Sequence, residues 1–269
     1  MLHRIATALL AGALLTGCGV VADSSGQDTA SPRPSASTTS GPALYADLTR
    51  RMVDEGTATF TFSGVGGGQT LAGSGAMRFE GDQFDADVHL TMPETGRVRA
   101  VLLPSASYLA LPATKGLPRD KPWMKVSSDP RTRLGRTLRP VVDQLRGSFD
   151  PAQSLGLLRA ARRVVEVGPA TVEDVPTMHH HAVIDLRRAT AQVTGPAQEQ
   201  FQSMLDAGVT QLEYDVWLDT TGLPRRFTAD IPTTSGLFSV TGVYRDWGDE
   251  VSIEQPRPKQ VFDADKLKG

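Results

Sequence analysis

The side chains best equipped for chemistry are few. The chain has one cysteine, Cys18, and five histidines, three of them consecutive at His179, His180 and His181. A thiolate is a strong nucleophile, and imidazoles ligate metals. On a strand, His179 and His181 share one face and His180 points to the other. Two imidazoles can begin a zinc site, but a third ligand must come from elsewhere. Asp185 shares their face, with Val183 between it and His181. A half-exposed strand with polar decoration accounts for the triplet without any metal. The glycine-rich run 64–68 lacks the strand-to-helix context of a nucleotide loop and reads as a hairpin turn. No G-x-S-x-G nucleophile motif occurs, and no order of Ser, His and Asp singles out a triad. The expectation is therefore a protein with no catalytic residue, no metal and no cofactor.

The N-terminus gives Cys18 a different role. Arg4 precedes an apolar run of 11 residues, Ile5 to Leu15. That is too short to span a bilayer, which needs about 20, and it fits the core of a secretory signal. Leu15-Thr16-Gly17-Cys18 resembles a bacterial lipoprotein lipobox. The resemblance implies cleavage before Cys18 and a diacylglyceryl thioether on it, so residues 1–17 are read as signal peptide. It further implies a protein exported and anchored by lipid to the outer face of the cytoplasmic membrane. Two or more acyl chains anchor stably, at about 0.8 kcal/mol per buried methylene.

Composition narrows the classes further. A net charge of -2 over 269 residues argues against a nucleic-acid binder, which needs a basic excess. One cysteine excludes a disulfide scaffold. The chain has no asparagine and so no N-glycosylation sequon. Export removes ATP- and NAD-dependent chemistry from consideration.

Residues 18–42 read as the lipidated Cys18 and a disordered tether rich in Ser, Thr and Pro, with almost nothing to bury. A flexible chain of that size has an r.m.s. reach of roughly 25–30 Å. The folded domain is expected over 43–269. Leu44, Leu48, Met52 and Val53 have helical spacing up to a stop at Gly56. Period two then takes over: Ala58, Phe60 and Phe62; a strand over 71–79; and Phe84, Ala86, Val88, Leu90 and Met92. Strands continue over 97–103, 107–111 and 123–126. A helix over 134–145 carries Pro140, and Asp150-Pro151 reads as the start of another, up to about Arg163. Strands resume over 164–172 and 177–186, a helix follows over 196–207, and strands run over 212–218, 223–231, 237–247 and 251–254. The tail 261–268 is a short helix or coil. About ten strands with helices inserted make an α+β fold, in which one curved antiparallel sheet has its apolar face covered by helices.

The segments in their order resemble the actinobacterial LppX/LprAFG lipoproteins of the wider LolA/LolB-like group. The resemblance rests on Ser107-Tyr108-Leu109-Ala110-Leu111-Pro112 with Lys121-Pro122-Trp123-Met124-Lys125-Val126, on the strand from Thr177 to Leu186, and on Tyr214-Asp215-Val216-Trp217-Leu218-Asp219 with Gly222-Leu223-Pro224-Arg225-Arg226. It covers roughly residues 43–262, and His180 stands where the group has an aromatic residue. The resemblance implies a strongly curved β half-barrel capped by helices, with an apolar cavity that takes acyl chains. It also implies a carrier or chaperone of a lipid, glycolipid or other amphiphile in the envelope, not an enzyme.

On that reading the cavity-lining candidates are Phe60, Phe62, Phe84, Val88, Leu90, Leu138, Val142, Leu145, Leu155 and Leu158. Plain core packing is the competing role for each. Two arginine clusters, Arg131, Arg133, Arg136 and Arg139, then Arg159, Arg162 and Arg163, are a solvated helix face or a contact with anionic headgroups, worth about 1 kcal/mol per residue. Arg133, Arg136, Arg159 and Arg163 are the membrane-docking candidates. The partners to expect are the membrane through Cys18, a lipid or glycolipid, and a membrane transporter, with no nucleic acid. The alternatives are a sensory or regulatory envelope module, or a structural lipoprotein with a filled core.

Overall fold

A long run of alternating strands must curl, because each strand is rotated by about 20–25° from its neighbour. The computed structural model describes residues 37–266 apart from 67–68, 82, 93–95, 111–117, 119, 151–154, 194–195 and 234–235. The signal peptide, Cys18 and most of the tether lie outside the described residues, as do Gly67, Gly68, Leu111 and Pro151.

Thirteen strands form one sheet: β1 (Thr38–Thr39), β2 (Thr57–Gly66), β3 (Gln69–Glu80), β4 (Gln83–Met92), β5 (Gly96–Leu102), β6 (Ala106–Ala110), β7 (Trp123–Ser127), β8 (Ala161–Val172), β9 (Val175–Asp185), β10 (Gln211–Asp219), β11 (Pro224–Thr233), β12 (Gly236–Arg245) and β13 (Val261–Asp263). Their order is β1-β8-β9-β10-β11-β12-β2-β3-β4-β5-β6-β7-β13, so β1 and β13 are edges and the sheet is not closed. All neighbours are antiparallel except β13 and β7, which are parallel. The helices are α1 (Gly41–Glu55), α2 (Arg133–Phe149), α3 (Leu186–Thr190) and α4 (Pro196–Asp206).

Helix α1 has a defined start and stop. The Ser40 hydroxyl accepts a hydrogen bond from the Ala43 N–H at 3.3 Å, Pro42 occupies the first turn, and Gly56 ends the helix at φ 80°. That φ suits a residue without a Cβ. Leu44, Leu48 and Met52 face inward and pack with Leu155, Leu158, Ile184, Leu212 and Tyr214 in one core, beneath α1, α3 and α4. Helix α2 is capped by the Thr132 hydroxyl, which accepts from the Gly135 N–H at 3.1 Å. It covers a second core of Phe60, Met77, Val88, Leu90, Val98, Leu102 and Met124. Phe79, Phe227 and Trp247 pack against both cores. Strand β3 makes room for aromatic rings: Cβ atoms at Gly73 and Gly75 would stand 2.4 Å from the Phe62 ring and 2.8 Å from the Phe60 ring. These are positions where a side chain would collide with a packed ring.

Several expectations change. The sheet has 13 strands, not about ten. The expected tether ends too late, because Thr38–Thr39 already pairs with Val164 and Val165 and α1 starts at Gly41. Gly64 belongs to β2, not to a turn. Asp150 caps the C-terminal end of α2; the expected helix start at Asp150-Pro151 runs into residues 151–154, outside the described residues, beyond which a 3-10 turn spans Leu155–Ala160 and β8 begins at Ala161. Residues 251–254 form no strand, whereas the tail does: β13 occupies Val261–Asp263. Short exposed edge strands carry too few residues to show a period. Residues Ala36–Gly269 form one compact unit. No described helix is long and apolar enough to cross a membrane.

Candidate functional site

The ten expected lining residues divide between the two cores. Phe60, Phe84, Val88, Leu90 and Val142 are buried in the core under α2, with Phe62, Leu138 and Leu145 packed against it. Leu155 and Leu158 belong to the other core, under α1. Val88, Leu155 and Leu158 have no exposed surface, so at these positions the structure is packed. The Phe149 ring, at the end of α2, lies 5.1 Å from Phe62 and 6.0 Å from Phe60. Those separations suit aromatic packing.

Open space lies instead at the seam between the cores. A groove of about 560 Å³ runs between α1 and the β3–β4 turn, lined by Tyr45, Met52, Val53, Phe79, Gln83, Phe84 and Asp150. Its volume falls in the range of small-molecule sites, about 300–1,000 Å³. Phe84 is the one expected lining residue in this groove, and Val142 lines a gap of about 30 Å³ beside Leu103 and Arg146. Helical spacing pointed at the inward face of α1, whereas the groove is lined partly by its flank. Tyr45 was for that reason not singled out, and Val53, read as part of the helical stripe, was not named among the lining candidates.

The arginine candidates are not brought together. Arg159 lies over the ring of Tyr45, a residue that lines the groove, 5.5 Å from its centroid. Exposed Arg133 and Arg136 begin α2, close to the β13 edge, where the neighbouring Thr132 hydroxyl donates to the Ala264 carbonyl at 2.7 Å. Exposed Arg163 sits on β8 and, with Arg162, His181 and Asp185, lines a separate space of about 450 Å³. Arg146 was not anticipated. Its guanidinium donates to the Phe84 carbonyl at 2.7 Å and to the Leu103 carbonyl, tying α2 to the ends of β4 and β5. Burial lowers its pKa from the usual arginine value.

The histidine triplet alternates as expected. Asp215, opposite His181 in the ladder, accepts from both outer imidazoles, at 2.6 Å from His179 Nε2 and 3.0 Å from His181 Nδ1. His179 stacks on Trp217 at 4.5 Å, and Arg226 covers the same indole at 4.9 Å. No group of three or more His, Cys, Asp or Glu side chains placed to hold a metal occurs among the described residues. Cross-strand register, which brings Asp215 and not Asp185 to the histidines, is invisible to a reading of one strand. His180 faces inward, and burial lowers its pKa.

Two further polar features belong to the frame. Tyr214 is fully buried with a hydroxyl that has no hydrogen-bond partner among the described residues, and burial holds its phenol well above the usual range. Asp219 organises the β10–β11 turn: Oδ1 accepts from Thr221 N–H, Thr221 Oγ1 and Leu223 N–H at 2.9, 2.6 and 3.1 Å, and Oδ2 accepts from Arg225 at 2.6 Å.

No family model matches the chain. A 31.2 kDa protein encoded in the rplA–rplJ intergenic region of Streptomyces griseus is 30% identical over 152 residues, 55% of this chain. The chain spans about half the length of that curated relative, 50%. The solved structure of LprF from Mycobacterium bovis is similar at a TM-score of 0.49 and 12% identity, over 80% of this chain and 96% of that one. LppX from Mycobacterium tuberculosis, a lipoprotein, is similar at 0.47 and 15% identity, over 79% and 99%. These are proteins of the group that the sequence resembles. At such scores the likeness adds no weight to the geometry, which stands on the strand order and packing above.

Proposed function

We propose that this chain is an exported lipoprotein, anchored through Cys18, that binds a lipid or similar amphiphile in the envelope as a carrier or chaperone. The observation that carries the reading is the apolar groove of about 560 Å³ at the seam between the two cores. Tyr45, Met52, Val53, Phe79 and Phe84 supply apolar contact. Arg159 above Tyr45 supplies a cation for a headgroup, whereas Arg50 in the groove wall is paired with Asp47 and Asp54. Each methylene taken from water contributes about 0.8 kcal/mol, so an acyl chain needs only a dry wall and a polar rim. No catalytic residue is required. The core under α2 is packed, so a long chain enters there only if α2 moves away from the sheet.

The test is purification of the chain from Ala36 onward, produced in a membrane-containing host without detergent, followed by native mass spectrometry. The expected result is a reproducible adduct of lipid mass. Bare protein in every preparation speaks against it. The second reading, a regulatory module that binds a protein partner, draws on the packed state of Val88, Leu155 and Leu158, and bare protein would favour it.

A further inference from the structure

The six lysines of the chain all stand in two short stretches, 115–125 and 259–268, and every other basic side chain except histidine is arginine. Parallel pairing of β13 with β7 lays 261–263 of one stretch beside 123–125 of the other, with Val261 opposite Trp123 and Asp263 opposite Lys125. A cavity of about 430 Å³ opens there, lined by Tyr108, Lys121, Lys125, Gln255, Phe262 and Lys266. It is far along the sheet from the α1 groove, at the opposite edge from β1.

The charges in this cavity do not cancel. Asp263 is the one acid lining it among the described residues, and its Oδ2 lies 3.4 Å from Lys125 Nζ. Lys121 and Lys266 have no ion pair among the described residues. The nearby Asp265 accepts through Oδ1 from the N–H groups of Arg131 and Thr132 at 2.9 and 3.3 Å, and its buried Oδ2 has no hydrogen-bond partner among the described residues. Exposed Arg257 and Lys259 add positive charge in the adjoining segment, against exposed Asp120. Tyr108 is buried and donates its hydroxyl hydrogen to Gln255 Oε1 at 3.2 Å, so its oxygen still has capacity to accept. Phe262 gives the cavity an apolar wall. Ammonium groups act as compact point charges that suit phosphate, and the volume suits a small organic ligand.

We propose that this cavity binds a phosphate ester carrying an apolar group, with Lys121, Lys125 and Lys266 on the phosphate and Phe262 against the apolar part. The site is independent of the α1 groove and does not rest on the reading of that groove.

The test uses the full chain with its lysines reductively methylated with carbon-13, which keeps their charge. Six lysines give a spectrum simple enough to assign by single substitutions. The probes are inorganic phosphate, dihexanoyl phosphatidic acid, and vesicles of equal parts phosphatidylcholine and phosphatidylglycerol. The expected result is saturable shifts confined to Lys121, Lys125 and Lys266 with phosphatidic acid. The double variant Lys121→Gln/Lys266→Gln, checked for folding by circular dichroism, should bind it about 25-fold more weakly, roughly fivefold per lysine. Shifts with phosphatidic acid and vesicles but not with phosphate identify a lipid headgroup as the source. Comparable shifts with phosphate identify a free phosphate compound. Equal shifts at all six lysines, no saturable shift with any probe, or unchanged binding by a folded double variant would overturn the proposal.

Discussion

The ring of Phe149, the last residue of α2, packs against Phe62 of β2 with centroids 5.1 Å apart. Helix α2 thereby reaches from the β7–β13 edge, where Thr132 is held by the Ala264 carbonyl, to the middle of the sheet. Its far end stops where the α1 groove begins, since Asp150 lines that groove. Phe149→Ala should cost about 2 kcal/mol, less than a fully buried phenylalanine, in urea unfolding. Arg146→Ala should raise amide hydrogen exchange across 133–149 and leave α1 unchanged.

The start of α1 is seated tightly. A Cβ on Gly41 would stand 1.9 Å from the Leu158 carbonyl oxygen and 2.6 Å from that of Ala161. Both contacts are backbone and cannot swing away. Gly41→Ala should destabilise by about 3 kcal/mol, whereas Ser40→Ala, which removes only the cap, should cost about 1 kcal/mol. Thermal denaturation of both variants checks the order.

Much of this architecture was legible in the residues. Alternation over 84–92 and 212–218 marked strands because apolar and polar side chains take opposite faces, although on β4 the polar Asp85 and Asp87 are buried too, paired with Arg78 and Arg99. The α1 stripe and its Gly56 stop were equally plain. What stayed hidden depends on partners distant in sequence. Thr38–Thr39 and Val261–Asp263 are strands only because β8 and β7 offer them an edge. Leu155 and Leu138 look alike as apolar helical residues, yet they enter different cores. The groove residue Tyr45 lies off the periodic stripe, and Arg146 carries no local sign that two carbonyls await it.

Stability should depend on pH through Asp219. Burial, the largest single influence, pushes its carboxyl up. The hydrogen bonds from Thr221, Arg225 and the Leu223 and Thr221 N–H groups together outweigh it and hold the pKa below the usual carboxylate range. A depressed folded pKa contributes stability that is fully present above the ordinary aspartate value, about 3.9, and is lost as pH falls through the folded value. Asp219→Asn should therefore be less stable than the parent at neutral pH. The gap should narrow as the pH drops below about 4. Urea midpoints measured across that interval give the answer, and a gap independent of pH would refute the assignment.

Tyr214 offers a test of the core under α1. Its buried hydroxyl has no partner among the described residues, and an unsatisfied buried polar group costs about 1–3 kcal/mol. Tyr214→Phe should leave the stability unchanged or raise it. A clear loss in thermal unfolding would mean that a bound water or ligand satisfies the hydroxyl.

The most direct measurement is the titration of the chain with a fluorescent acyl probe, compared with Ala46→Trp and Leu145→Trp. Ala46 is exposed on α1 and lines the groove, so an indole there fills the groove without entering a core. Leu145 packs under α2, away from it. Saturable binding by the parent, lost in Ala46→Trp and kept in a folded Leu145→Trp, is the result expected of an amphiphile held at the seam. Undiminished binding by Ala46→Trp, or no saturable binding by the parent, would contradict it.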